Sequence, residues 1–216
     1  MSAALTLEIE TVRPDQVIAD VLAVFFFSCD RPLRGPAGRA DWRLCGLLSE
    51  LLLREELIGD QGEAALIPTG GRLRSPLLLA IGLGSRSDFG EETLREVARS
   101  AAARLLGLGA GVAGMALPGD AASRLGSSRA AAVVLEGIAA ALRERSSALR
   151  LRLVVMPEEA GRVRSGLQET ASRLSSSELA VHLERSPEVF PHRALAPSPG
   201  NGSPAGNPIS RAGFRR

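Results

Sequence analysis

The chain has 216 residues, 45% hydrophobic but only 3% aromatic, with a formal charge of +2. That is enough for one domain of ordinary size, or one domain plus a tail, with a core built from Leu, Val, Ile and Ala. The mild charge and scarce aromatics argue against a nucleic-acid platform, no apolar run approaches the roughly 20 residues of a membrane-spanning helix, and the absence of Lys excludes Schiff-base and Walker-lysine chemistry.

Leu5–Val12 (LTLEIETV) alternates apolar and polar residues. This predicts a strand with Leu5, Leu7 and Ile9 on one face and Thr6, Glu8 and Glu10 on a wet one, at an antiparallel sheet edge. RPDQ breaks it. Asp20–Phe27 (DVLAVFFF) is continuously apolar, as expected of a strand covered on both faces. Ser28–Ala40 (SCDRPLRGPAGRA) reads as a loop, followed by one helix from about Ala40 to Arg54 with Trp42, Cys45, Leu48 and Leu52 at helical spacing. AALIP, ending at Pro68, is a short strand, TGGRLRSP a turn, and Leu77–Gly84 (LLLAIGLG) a second buried strand.

A helix then starts near Glu91, with an apolar stripe of Leu94, Val97, Ala98, Ala101 and Leu105. Its start is explained either by a capping box of Asp88 with Glu91, or by Gly90 as cap with Phe89 stapled to Leu94. Gly111–Pro118 is a strand of small residues. GDAASRLGSSRA leads into a helix carrying Val133, Val134, Ile138 and Leu142. Ala148–Met156 is a strand, and Pro157 opens a last helix with the stripe Ala160, Val163, Leu167, Ala171 and Leu174. The expected layout is a folded domain over 1–178 and a Pro/Gly/Ser-rich tail over 179–216, in which ELAVHLE is a last helical turn or a docking segment and disorder begins near Pro187. The late β-α alternation predicts an α/β fold with a mixed, mostly parallel sheet between helix layers.

Three stretches have the residue types of a ligand site. In GLGSRS, Gly82 and Gly84 allow close backbone approach, Ser85 and Arg86 supply polar and charged groups, and a helix N-terminus follows. The simpler reading is that Gly84 only makes the strand-to-helix turn. Ser28–Arg39 follows a buried strand, where α/β sheets place ligands, and Asp30, Arg31, Arg34 and Arg39 make it polar. A literal G-x-G-x-x-G at Gly109, Gly111 and Gly114 follows a helix and enters a strand, the reverse of a dinucleotide fingerprint. The Cys pair, Cys29 and Cys45, has neither disulfide-framework nor zinc spacing; two free thiols are expected, at least one of them buried. The N-terminus, MSAALTLEIETVRPDQ, lacks the basic and apolar regions of a signal peptide, so the expected compartment is the cytoplasm.

The order and spacing of ADVLAVFFF, LRGPAGRADWRLCGLLSELL, IGDQGEAALIPTGG, LLLAIGLGSRSDFGEETLREVARSAAARLLGLG, VAGMALPG and VLEGIAAAL, from about Ala19 to Leu142, resemble the N-terminal domain of the leucyl (cytosol) aminopeptidase family. The resemblance implies a macro-domain-like three-layer α/β/α fold. It also implies a non-catalytic role, because the family's two-metal chemistry belongs to a C-terminal domain with a Lys ligand, a catalytic Lys and an NTDAEGR-type motif. Nothing after Leu142 resembles that domain. No catalytic residue, metal ligand or cofactor is therefore assigned, and peptide hydrolysis by this chain alone is not expected. The macro fold draws attention to Ser28–Arg39 as an ADP-ribose region, although the Asn- and Gly-rich macro loop is missing. The expected function is an interaction or regulatory domain that docks a protein partner or self-associates. The alternatives are a nucleotide- or phosphate-binding module using Ser28, Asp30, Arg31, Gly82, Gly84, Ser85 and Arg86, or a component of an aminopeptidase whose active site is on another chain. No membrane partner is expected.

Overall fold

The structure, a computed structural model, describes residues 3–118, 121 and 124–184. In chain order its elements are β1 (Ala3–Glu10), β2 (Val21–Phe26), α1 (Gly35–Arg43), α2 (Leu47–Leu53), β3 (Ala64–Pro68), β4 (Leu77–Gly82), α3 (Glu91–Gly107), β5 (Val112–Ala116), α4 (Ser127–Arg145), β6 (Ala148–Val154), α5 (Ala160–Leu174) and β7 (Leu179–Glu184), with short 3-10 turns at Pro14–Gln16 and Pro157–Glu159. The strands form one 7-stranded sheet in the order β3-β4-β2-β5-β6-β1-β7. All neighbours pair in parallel except β3 and β4. The fold is the expected α/β architecture, a mixed and mostly parallel sheet between helix layers. Among the described residues no helix is long and apolar enough to cross a membrane.

Two apolar cores flank the sheet. One face packs Leu5, Leu7, Phe25, Phe27, Ile81 and Leu151 against Leu94, Val97, Ala101, Val134, Ile138 and Leu167 of α3, α4 and α5. The other packs Leu22, Val24, Phe26, Leu78 and Ala80 against Ala37, Ala40, Leu48 and Leu52 of α1 and α2. β2 lies between both cores and is buried along its whole length, as its unbroken apolar run predicts.

The structure corrects the sequence reading in four places. β1 is neither an edge nor antiparallel: it lies between β6 and β7, parallel to both. The face expected to be wet is largely covered: Thr6 is half-buried, and Glu8 and Glu10 are buried, at 6% and 8% exposure, beside Arg152. The segment read as a helical turn or docking piece is β7, whose residues Leu179 to Glu184 pair with Ala3 to Glu8. The true antiparallel edge is β3. The single helix from Ala40 to Arg54 is two helices, the first beginning at Gly35 with Pro36 in its opening turn, a position where the missing proline N–H costs no hydrogen bond. The break falls at Cys45 and Gly46, whose φ values of 59° and 84° lie in the left-handed region that ends helices. It turns Trp42 and Cys45 out to solvent instead of into the core. At α3 the cap is Gly90, with no side-chain bond. The expected tail disorder from Pro187 lies outside the described residues.

On the polar strip of the sheet, Arg152 of β6 sits beside Glu8 (3.3 Å) and Glu10 (3.8 Å) of β1. Burial raises the Glu10 pKa above its ordinary value; the Arg152 charge opposes this and the neighbouring Glu8 reinforces it. A carboxyl whose pKa is raised by folding opposes folding at pH values above that pKa and ceases to do so once protonated. Glu10→Gln is therefore expected to raise the thermal midpoint at neutral pH, with the gain vanishing as acid protonates Glu10 in the wild type. Melting curves of both proteins across pH check this.

Candidate functional site

β2 connects away to β3 and β4 on one side, whereas β5 connects through α4 to β6 on the other. The crevice beyond the carboxyl ends of β2 and β5 is thus where strand order reverses, the usual ligand position in open α/β sheets. A cleft of about 140 Å³ lies there, lined by Phe25, Phe27, Asp30, Arg34, Leu83 and Pro118 among others.

The two loops singled out by sequence meet at this end of the sheet. The Ser28 amide and hydroxyl both donate to the Gly84 carbonyl, at 3.0 and 3.1 Å. Arg86 Nη2 donates to Asp30 Oδ1 at 2.6 Å. Asp30 is buried, and its other oxygen accepts the Phe27 amide at 3.1 Å. The Arg86 guanidinium also lies 4.3 Å from the centroid of the Phe27 ring, which in turn packs edge-on against Phe89 at 5.1 Å. Phe27 is a residue that sequence reasoning placed only in a strand. Its clue was position, the first residue past a buried strand and next to a charged loop.

The remaining candidates divide. Arg31 is exposed and donates to the carbonyls of Ser28 and Asp30, both at 3.2 Å, so it closes its own turn. Ser85 lies 2.7 Å from the Ser87 hydroxyl on the surface. Gly82 is needed for packing: a Cβ there would stand 2.2 Å from the Asp60 carbonyl oxygen. Gly84 makes the turn with φ +75° and passes close to Gln61.

For Arg86 to turn its Nη2 to a phosphate, that atom must leave a charge-assisted bond to a buried carboxylate. Leaving such a carboxylate unpaired costs about 3–5 kcal/mol, the equivalent of two or more powers of ten in affinity. The arrangement therefore behaves first as a clasp between the β2 and β4 loops.

Elsewhere, a cleft of about 590 Å³ lies between α4 and α5. Several of its polar groups are paired: Arg129 with Glu91 at 2.6 Å, Arg173 with Glu136 at 3.2 Å, and Ser127 donates to Glu159 at 3.0 Å. Both cysteines are exposed free thiols, against the expectation that one is buried. Both should be alkylated in the native protein, which mass spectrometry after brief iodoacetamide treatment checks. Gly109, of the G-x-G-x-x-G stretch, takes φ 68° just after α3 and ends that helix. Among the described residues no group of three or more His, Cys, Asp or Glu is placed to hold a metal ion.

Compared with known proteins, residues 21–144 match the profile described as the cytosol aminopeptidase family, N-terminal domain. A probable cytosol aminopeptidase of Thermosynechococcus vestitus is 35% identical over 136 residues, 62% of this chain and 27% of that protein. The chain thus matches between 16% and 27% of the length of such curated relatives. In structure it is similar to a macrodomain of Oceanobacillus iheyensis solved with ADP, at TM-score 0.61 and 14% identity, covering 76% of this chain and 91% of that one. It is also similar to a mutant of tomato leucine aminopeptidase, at TM-score 0.59 and 18% identity, covering 79% of this chain and 37% of that one.

Proposed function

Because this chain belongs to the cytosol aminopeptidase family, through that family's N-terminal domain, we propose that it works as a non-catalytic interaction or regulatory domain acting through protein contacts or self-association. The observation that carries this reading is the Arg86–Asp30 clasp, at 2.6 Å. Arg86, next to the crevice through its bond to Asp30, is paired within the protein and stacked on Phe27; the crevice itself is only about 140 Å³ and takes its lining arginine from Arg34. The sequence also contains no Lys to supply the ligand or catalytic lysine of a two-metal peptidase. Sedimentation velocity of the full chain is expected to show concentration-dependent self-association, or a defined complex once a protein partner is added. Metal-dependent release of amino acids from peptide amides by the pure chain would overturn the proposal.

A second reading is supported by the position of the crevice at the strand-order reversal and by the likeness to a macrodomain solved with ADP. In that reading Ser28, Asp30, Arg31, Gly82, Gly84, Ser85 and Arg86 form a phosphate-binding pocket, opened when Arg86 swings from Asp30 to the ligand. A rise in thermal midpoint with ADP or inorganic phosphate, lost in Arg86→Ala, would favour it.

A further inference from the structure

At the opposite end of the sheet, 5 arginines from three chain segments surround one buried carboxylate and the sole tryptophan of the chain. Arg13 and Asp15 precede β2, Arg39, Trp42 and Arg43 lie on α1, and Arg72 and Arg74 lie in the turn before β4; together they line a cleft of about 430 Å³. Hydrogen bonds to backbone carbonyls fix the segments in place. The Arg74 amide donates to the Asp15 carbonyl at 3.1 Å, the Ser75 hydroxyl to the Val17 carbonyl at 2.9 Å, and Arg43 Nε to the Arg72 carbonyl at 3.2 Å.

Asp15 shows how this cluster receives a carboxylate. Arg39 grips it at two points, Nε to Oδ1 at 3.0 Å and Nη2 to Oδ2 at 3.4 Å, with Arg43 at 3.7 Å and Arg13 at 3.9 Å. Burial pushes its pKa up, but the Arg39 bonds and the Arg39 and Arg13 charges outweigh this and hold it below the ordinary range. One negative charge therefore faces 5 positive ones. Arg72 and Arg74 are exposed and have no carboxylate partner among the described residues. Trp42 is 65% exposed, a large apolar area left in water on an otherwise packed helix.

The geometry selects the kind of partner. A surplus of guanidinium forks calls for planar oxyanions. Trp and Arg are the side chains that concentrate binding energy at protein interfaces. Nucleic acid is disfavoured, because Trp42 is the one aromatic side chain among the described residues lining this cleft, whereas single strands are held by several aromatic rings on which successive bases stack. We infer that this cleft docks an acidic segment of a partner protein, with Asp or Glu carboxylates taken by Arg13, Arg72 and Arg74 and an apolar side chain laid against Trp42. This rests on the interaction reading and names its surface and partner class.

Trp42 makes the site optically addressable, since the chain has 1 Trp and 0 Tyr. The full chain is titrated with a short Glu/Asp-rich peptide containing one Leu, a Lys-rich peptide, sodium pyrophosphate and a single-stranded oligonucleotide. The acidic peptide is expected to shift Trp42 emission saturably, with affinity falling steeply as salt rises. The double variant Arg72→Ala/Arg74→Ala should weaken this at least about tenfold, since interface hot spots exceed 1–2 kcal/mol. Its melting temperature should stay unchanged, which separates docking from folding. No saturable shift, an equal response to pyrophosphate or oligonucleotide, or full affinity in the double variant would overturn the proposal. If the chain self-associates while the peptide does nothing, the docking surface is wrong and the interaction reading stands; if neither occurs, both fall.

Discussion

Gly137→Ala is expected to lower the thermal midpoint by roughly 6–12 °C, and Gly137→Leu to abolish cooperative folding. Gly137 lies in α4 where it crosses α3. A Cβ at this position would stand 2.3 Å from the Arg95 carbonyl oxygen and 3.0 Å from both the Ala98 Cβ and the Arg99 nitrogen. The main clash is with backbone, so no side chain can turn aside, and the helices must separate over a core that contains Leu94, Val97, Val134 and Ile138. Overpacking of this kind costs about 1–3 kcal/mol, and the upper end applies where backbone must move. Gly161→Ala is the matched control. It is an exposed position early in α5 with nothing within 4 Å of the new methyl, and it should be neutral or stabilise by up to about 1 kcal/mol through helix propensity. Circular dichroism melts of the two variants separate the cases. A Gly137→Ala midpoint within about 2 °C of wild type would mean that α3 and α4 slide apart freely.

Asp30→Ala should cost about 2–4 kcal/mol in denaturant unfolding, with an unchanged dependence on denaturant concentration. The substitution removes the acceptor of the buried Phe27 amide and the partner of Arg86 together. Asp30→Asn keeps an acceptor for the amide and loses only the charge, so about half of the cost should return. Combining either with Arg86→Ala should be strongly non-additive, with a coupling of about 1–3 kcal/mol, because each residue acts through the other. Additive losses would show that the two loops are held by the Ser28–Gly84 bonds alone.

The parts of the fold that sequence made legible are those where one residue pattern has one physical solution. The unbroken apolar run of β2 permits only a strand covered on both sides, and that is what forms. β1 was harder. Its alternation separates an apolar face from a polar one, yet Glu8 and Glu10 on the polar face are buried beside Arg152 of β6, a pairing that no local pattern records. β7 was missed since its six residues carry short-range helix and strand signals of similar strength, and only pairing with β1 decides between them. The break at Cys45 was hidden by leucines on either side at continuous helical spacing; a left-handed non-glycine residue leaves little trace in sequence. At the crevice, the convergence of Ser28, Asp30, Gly84 and Arg86 follows from β2 and β4 being parallel neighbours. Their mutual pairing could not be read, because Asp30 and Arg86 are 56 positions apart. The arginine cleft was less visible still: RPDQ, GRADWR and GRLRS are ordinary turns and a helix end when taken singly.

The central claim is that Arg86, beside the carboxyl-end crevice, is held by the protein's own ion pair and that this domain works through contacts elsewhere. Calorimetric titration of the full chain with ADP-ribose, alongside ADP and inorganic phosphate, tests it most directly. No saturable heat is expected from the wild type. Saturable heat that disappears in Arg86→Ala would contradict the claim and establish the crevice as a ligand site.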